Sequence, residues 1–121
     1  MHIAPHPGSP LDFVDACLLL SLAERPAYGY ELKGALEDLE VDVRDRGRIY
    51  RSLRSMEERG LLTSWWETGG SGPARRTYDL TDLGARQLAS EVVAVRRRRR
   101  ALTRFLARYE RLAAPGAGAV A

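Results

Sequence analysis

The chain has 121 residues, 45% of them hydrophobic, and a formal net charge of +3. That length makes one small domain, which buries only about two-thirds of its unfolded surface and so gains from a partner subunit. A lone cysteine, Cys17, excludes an intrachain disulfide and fits a cytoplasmic setting, no run resembles a membrane span, and without catalytic pairings or a phosphate-cradling loop neither an enzyme nor a cofactor is expected.

Residues 1–10, MHIAPHPGSP, are Pro-rich and expected to be disordered. His2 and His6 have no cysteine or carboxylate close by in sequence, so no metal site is expected there. Residues 11–23, LDFVDACLLLSLA, predict a helix that is apolar nearly all round after Asp15. One face can pack on its own domain, while Phe13, Cys17 and Leu20 are expected to meet a second subunit; Cys17 reads as a small hydrophobe rather than a nucleophile. Pro26 breaks the chain, and residues 28–39 predict a second helix with Leu32, Leu36 and Leu39 inward, followed by a short charged link.

The stretch that organises the chain is residues 45–60, DRGRIYRSLRSMEERG. At 100° per residue Ile49, Leu53 and Met56 share one face; Arg51, Arg54 and Glu58 lie opposite with Gly47 close to them, and Arg48 and Tyr50 flank. Asp45 is suited to the N-cap and Gly60 to the position after the C-cap. Arg46 and Arg48 fall in the first turn, where a cation costs about 0.3–1 kcal/mol against the helix dipole, a cost that an anionic partner would offset. A solvated amphipathic helix explains these residues when they are taken alone.

The residues after Gly60 favour a different explanation. LLTSWWE, the breaker-rich TGGSGPARR and TYDL predict a two-stranded hairpin with a basic tip directly behind the helix. Helix then hairpin is the order of a winged helix-turn-helix, in which the helix enters the major groove and the hairpin touches the backbone or minor groove beside it. The candidate DNA-binding residues are therefore Arg46, Gly47, Arg48, Tyr50, Arg51 and Arg54 on the helix, with Arg75 and Arg76 on the wing. Strand alternation puts Trp65 and Trp66 on opposite faces, so only one is expected in the core.

Residues 81–112 predict one long helix, with Thr81 as N-cap and Asp82 in the first turn, before a flexible small-residue tail at 113–121. Leu88, Val92, Val95, Arg99, Leu102, Leu106 and Tyr109 recur at spacings of four and three, a heptad seam with an arginine in its middle. So long a stripe exceeds what a small domain can cover, and it is expected to pack across a two-fold axis. Arg99 would set register, pair with a partner's acid, or mark a break where the helix leaves the seam; the rest of the run of arginines at 96–100 is expected to be solvated. The fold class is thus mainly α with a small β-hairpin: a winged helix-turn-helix domain over 11–80 and a C-terminal dimerisation helix over 81–112. The first forty residues carry −5, residues 41–80 carry +2 and the remainder +6, so the positive charge lies in the last two-thirds. Arginine outnumbers lysine 18 to 1, which suits bidentate recognition of phosphate and guanine, although a GC-rich genome favouring Arg and Ala codons would explain most of that excess by itself.

The order LLLSLAERPAYGYEL, GRIYRSLRSMEERGLL and ARRTYDLTDLG closely resembles the PadR family of bacterial transcriptional regulators. The shared pieces are Gly29-Tyr30-Glu31, Tyr50 with Leu53, Met56-Glu57, Gly60-Leu61, and Tyr78 with Leu80-Thr81 and Gly84. The long last helix resembles the family's small subtype. The resemblance implies a homodimer, with the C-terminal helix packed on the partner's N-terminal helix, that binds a palindromic operator and usually represses. Some members bind planar aromatic effectors at the dimer interface, one through a tryptophan in the middle of the last helix; here that stretch reads EVVAVRR. At the start of the reading helix the family commonly has a Ser-Pro-Gly-Thr type of sequence, whereas this chain has Asp45-Arg46-Gly47-Arg48.

The expected function is a homodimeric, double-stranded-DNA-binding repressor, with room for a small-molecule effector at the dimer interface. The alternative is a winged-helix module for protein interaction, disfavoured because the reading helix lacks the large exposed apolar residues that anchor protein interfaces.

Overall fold

The computed structural model describes residues 11–70 and 72–115. The expectations for residues 1–10, His2 and His6 included, and for 116–121 lie outside the described residues. The chain divides into two compact units, one reaching Glu91 and one starting at Val92.

Helix α1 spans Phe13–Glu24, and its N-cap Asp12 accepts from the Asp15 amide at 2.9 Å. It is apolar nearly all round, as expected, but most of that surface is used by the chain itself. Leu18, Leu19 and Leu22 are fully buried, and so is Cys17 to 3% exposure. Cys17 thus belongs to the protomer's own core rather than to the outer stripe it was expected to share with Phe13 and Leu20. Burial pushes its thiol pKa up. Phe13 and Leu20 do remain exposed.

The next segment departs from expectation. Residues 28–39 are not one helix: Ala27–Tyr28 form strand β1, Gly29–Glu31 a 3-10 turn, and only Leu32–Asp38 an α-helix, α2. Strand β1 pairs antiparallel with the later strand Arg75–Leu80, matching Ala27 with Tyr78 and Tyr28 with Thr77. The Glu31 carboxylate accepts from the Tyr28 amide at 2.8 Å, which fixes the switch from strand to turn. Leu32 and Leu36 are buried as expected, but Leu39 lies beyond the end of α2 and is 44% exposed.

Helix α3, Arg46–Glu58, is capped at both ends in the way its sequence indicates. Asp45 Oδ1 accepts from the Gly47 amide at 2.8 Å. At the other end Gly60 has φ 80°, its N–H bonds to Glu57 O, and Leu61 N–H bonds to Met56 O at 2.9 Å. That pair of bonds closes a Schellman turn and satisfies carbonyls the helix would otherwise leave open. Ile49, Leu53 and Met56 are buried against Leu18, Leu22, Leu32 and Leu36 in one core cluster.

Strands β2, Leu62–Glu67, and β3, Arg75–Leu80, form the wing, in register from Leu62 opposite Leu80 to Glu67 opposite Arg75. With β1 they make a three-stranded antiparallel sheet ordered β1-β3-β2, one strand more than the expected hairpin. Neither tryptophan enters the core: Trp65 is 42% and Trp66 59% exposed. The core side of this sheet is already filled by Leu62, Tyr78 and the helices.

Helix α4 spans Asp82–Ala113. Thr81 joins it to the end of α3: its hydroxyl donates to Gly60 O at 2.6 Å and accepts from the Gly84 amide at 3.0 Å, and its amide donates to Leu61 O. The first turns pack on the core through Leu83 and the half-buried Leu88, a residue expected in the dimer seam. Glu91 Oε2 accepts from Gln87 at 2.8 Å and from the Leu11 amide at 3.1 Å. In the second unit the rest of the expected seam, Val92, Val95, Leu102, Leu106 and Tyr109, is exposed, along with Val93, Phe105 and Leu112. Arg99 makes no ion pair among the described residues; its carbonyl accepts from the Thr103 hydroxyl. Among the described residues no helix is long and apolar enough to cross a membrane.

Candidate nucleic-acid interface

The solvent face of α3 carries Arg46, Tyr50, Arg51 and Arg54, all exposed, while the opposite face is core. Arg46 and Arg54 form no ion pair or hydrogen bond among the described residues. Arg51 is held: its Nη2 donates to Asp45 Oδ2 at 3.2 Å. That bond, and next the Gly47 amide, keep the Asp45 carboxyl below the usual carboxylate range. Asp45 therefore sits against the positive first turn and offsets the dipole cost of its arginines.

Gly47 takes part in this arrangement. A Cβ there would fall 2.9 Å from Arg51 Nη1 and 3.0 Å from Asp45 Oδ1, so the glycine lets the pair fold across the first turn. Arg48 points the other way, its guanidinium paired with Asp12 at the start of α1 while its Nε donates to Ser52 Oγ at 3.3 Å. Arg48 is thus a link between α1 and α3, tied up within the domain. Behind it the Asp15 carboxyl is pushed up, chiefly by burial and against a hydrogen bond from Ser52, and its Oδ1 has no hydrogen-bond partner among the described residues.

Tyr50 lies across Gly29, where a Cβ would come within 2.8 Å of its ring. The tripeptide Tyr28-Gly29-Tyr30 therefore receives the reading helix on its glycine. On its two tyrosines it receives the wing. Those rings stack, with centroids 5.7 Å apart and planes 9° apart, and the Arg75 guanidinium lies 5.4 Å from one and 5.7 Å from the other. Contacts of this kind are worth about 0.5–1 kcal/mol at an exposed site and, above all, restrict where a long side chain can go.

Arg76 is anchored differently. Its Nε donates to Ser64 Oγ at 3.0 Å, Ser64 in turn donates to Glu57 Oε2 at 2.7 Å, and the Arg76 guanidinium lies 5.3 Å from the Trp66 ring. Glu57 of α3, 3.8 Å from Arg76, closes the network, so the wing is bolted to the reading helix through one carboxylate. Tyr28, Tyr30 and Glu57 were not among the residues singled out from sequence. Their importance comes from contacts between elements far apart in sequence, and the shared Gly29-Tyr30-Glu31 and Met56-Glu57 motifs pointed only to Tyr30 and Glu57.

Among the described residues no cluster of three or more His, Cys, Asp or Glu could hold a metal ion. The arrangement is chemically a donor surface: guanidinium N–H groups and the Tyr50 phenol on a rigid helix, beside a strand pair carrying two more guanidinium groups.

Comparison with known proteins agrees with that geometry. Residues 18–90 match the transcriptional regulator PadR-like family. Among solved structures, a PadR family transcription regulator from Clostridium difficile is 25% identical, covers 78% of this chain and 99% of its own, and superposes with a TM-score of 0.70. A PadR family regulator from Eggerthella lenta is 32% identical over 74% of this chain and 80% of its own, with a TM-score of 0.61. Bacillus subtilis PadR in complex with operator DNA shares the fold at 20% identity and a TM-score of 0.62, over 69% of this chain and 49% of that one. No curated protein matches the sequence. The chain belongs to the PadR-like family of transcriptional regulators, proteins that act on transcription and not as enzymes.

Proposed function

We propose that the protein is a homodimeric repressor that binds a palindromic operator, with α3 of each subunit in a major groove and the wing at 68–76 along the flanking backbone. The observation that carries this reading is the outer face of α3, where Arg46, Tyr50, Arg51 and Arg54 project from a helix whose other face is locked into the core. The operator complex of the Bacillus subtilis relative supports the same use of the fold.

Arg51 and Arg54 are the base-reading candidates, since a bidentate guanidinium suits guanine in the major groove. Arg46, at the positive end of α3, suits a phosphate. Arg48 and Gly47 serve the reading helix from within, Arg48 reaching DNA only by exchanging Asp12 for it. The exposed Val92, Val95, Leu102, Leu106 and Tyr109, with Phe13 and Leu20 of α1, supply the apolar area for a two-fold interface. An effector would act at that interface, because altering the spacing of two reading helices changes their fit to successive grooves.

The test is selection of genomic fragments by the purified protein. A recovered palindrome with half-site centres about 34–36 Å apart is expected. Binding to it should fall with log salt at a slope near −5 if about six phosphates are neutralised. Recovery of no preferred duplex, with binding to an acidic protein instead, would make this winged helix a protein-interaction module.

A further inference from the structure

Tyr30 and Arg75 come from opposite ends of the sequence of this domain and meet at one exposed point. Strand pairing sets Tyr28 opposite Thr77, so Arg75, two residues along β3, lies diagonally over the same face of the sheet. Tyr30 stacks on Tyr28 from the 3-10 turn, and Arg75 Nη1 donates to the Tyr30 phenol oxygen at 3.2 Å. The direction of that bond matters. The phenol oxygen accepts, so its own O–H proton stays available, and it has no acceptor among the described residues. Arg75 has spent one of its five N–H donors. Glu67 lines the hollow between Tyr28, Pro73 and Arg75, but its carboxylate already accepts from the Thr77 hydroxyl.

The result is two side chains with donor hydrogens to spare and one full positive charge, aligned by two parallel rings and half open to solvent, Tyr30 being 51% exposed. The guanidinium charge and the free donor hydrogens of Arg75 and Tyr30 suit an oxyanion, even with the Glu67 carboxylate across the strand pair. Charge-assisted bonds from a planar guanidinium and a hydroxyl match the oxygens of a phosphodiester. Its position decides which one. Tyr30 adjoins Gly29, on which Tyr50 of the reading helix rests, and Arg75 begins the second strand of the wing.

We propose that Tyr30 and Arg75 form a single phosphate-binding unit for the backbone of bound duplex DNA, with the Tyr30 hydroxyl donating to one oxygen of a phosphodiester and Arg75 to another. Tyr28 is a positioning residue that holds the pair. The inference rests on the reading of the protein as a DNA-binding repressor. It adds to it that Arg75 is not a loose cation on a flexible tip but half of a preset clamp, and that the phenol of Tyr30 is a DNA contact.

The experiment uses the full chain and the operator recovered by fragment selection, with Tyr30→Phe, Arg75→Gln and the double variant. Tyr30→Phe keeps the stacked ring and removes the hydroxyl, both its free O–H donor and the oxygen that accepts from Arg75, and an unchanged melting midpoint establishes that it is folded. It should weaken operator binding about three- to tenfold, the range for one lost hydrogen bond. Arg75→Gln should reduce the salt slope by about one. The double variant should lose clearly less than the product of the single losses, because both side chains serve the same phosphate. Phosphate-ethylation interference should vanish at the same single phosphate in both single variants. Wild-type affinity and interference in Tyr30→Phe, or loss at two different phosphates, would leave the tyrosines as structural props and overturn the proposal alone. A wild-type chain that prefers no duplex overturns both this proposal and the function on which it rests.

Discussion

Gly84 is pressed against the backbone carbonyl of Leu61, so that a Cβ on Gly84 would overlap that oxygen and come within 2.7 Å of Leu80 Cδ1. The contact is set by Thr81, which bonds to Gly60 and Leu61 and caps α4 at once. Helix propensity alone favours alanine over glycine by about 1 kcal/mol, but overlap with backbone, which cannot rotate away, outweighs it. Gly84→Ala should therefore destabilise the domain by about 1–3 kcal/mol, whereas Gly34→Ala, in α2 with nothing within 4 Å of its new Cβ, should stabilise it by about 0.5–1 kcal/mol. Urea unfolding of the two variants checks the opposite signs.

The arginines of the reading surface should separate by role. Arg51→Ala should cost about 1–3 kcal/mol on the operator and much less on random duplex, because a base contact discriminates. Arg76→Ala should weaken both duplexes alike and also lower the melting midpoint, since it strips Glu57 and Ser64 of their partner. Binding to paired operator and scrambled duplexes measures this, and equal losses for Arg51→Ala on both would remove it from base reading.

Asp15 should betray itself in the pH dependence of stability. Its folded pKa is raised, chiefly by burial, so the native state binds this proton more tightly than the unfolded chain does. The charged form therefore works against folding at neutral pH, and that penalty is relieved as pH falls through the raised folded value toward the ordinary carboxylate range. Asp15→Asn should be at least as stable as the parent at pH 7, and lose that advantage in acid, where the parent carboxyl is also neutral. Unfolding midpoints of both proteins from pH 7 to pH 3 provide the comparison; a parallel pair of curves would show that burial of the charge is not the governing effect.

The apolar band of α4 predicts oligomeric state. Leu102→Glu with Leu106→Glu places charge in the centre of that band and touches none of the buried core residues. The pair should convert a dimer to a monomer in sedimentation and lower operator affinity by about 10²–10⁴-fold, the effective-concentration advantage lost when two half-sites are no longer bound together. Unaltered sedimentation would place the two-fold contact elsewhere.

Some of this molecule was legible from sequence because its determinants are local. The periodicity of Ile49, Leu53 and Met56, the capping chemistry of Asp45 and Gly60, and the breakers between the strands of the wing all act over a few residues, and each is realised in α3 and the β2–β3 pair. The long last helix is legible for the same reason, its cap Thr81 and its repeating apolar positions being neighbours in the chain. The third strand is not, because two residues have no period to detect and Ala27 is recruited only by Tyr78, far along the chain. Sequence also marks Arg48, Arg51 and Arg75 alike as candidate DNA contacts. Tertiary structure distinguishes them, because a long side chain's direction is set by the nearest acceptor or ring: Asp12 for Arg48, Asp45 for Arg51, and the stacked Tyr28 and Tyr30 for Arg75. Cys17 obeys the same rule, since an all-round apolar helix leaves its buried face undecided until the other helices dock on it.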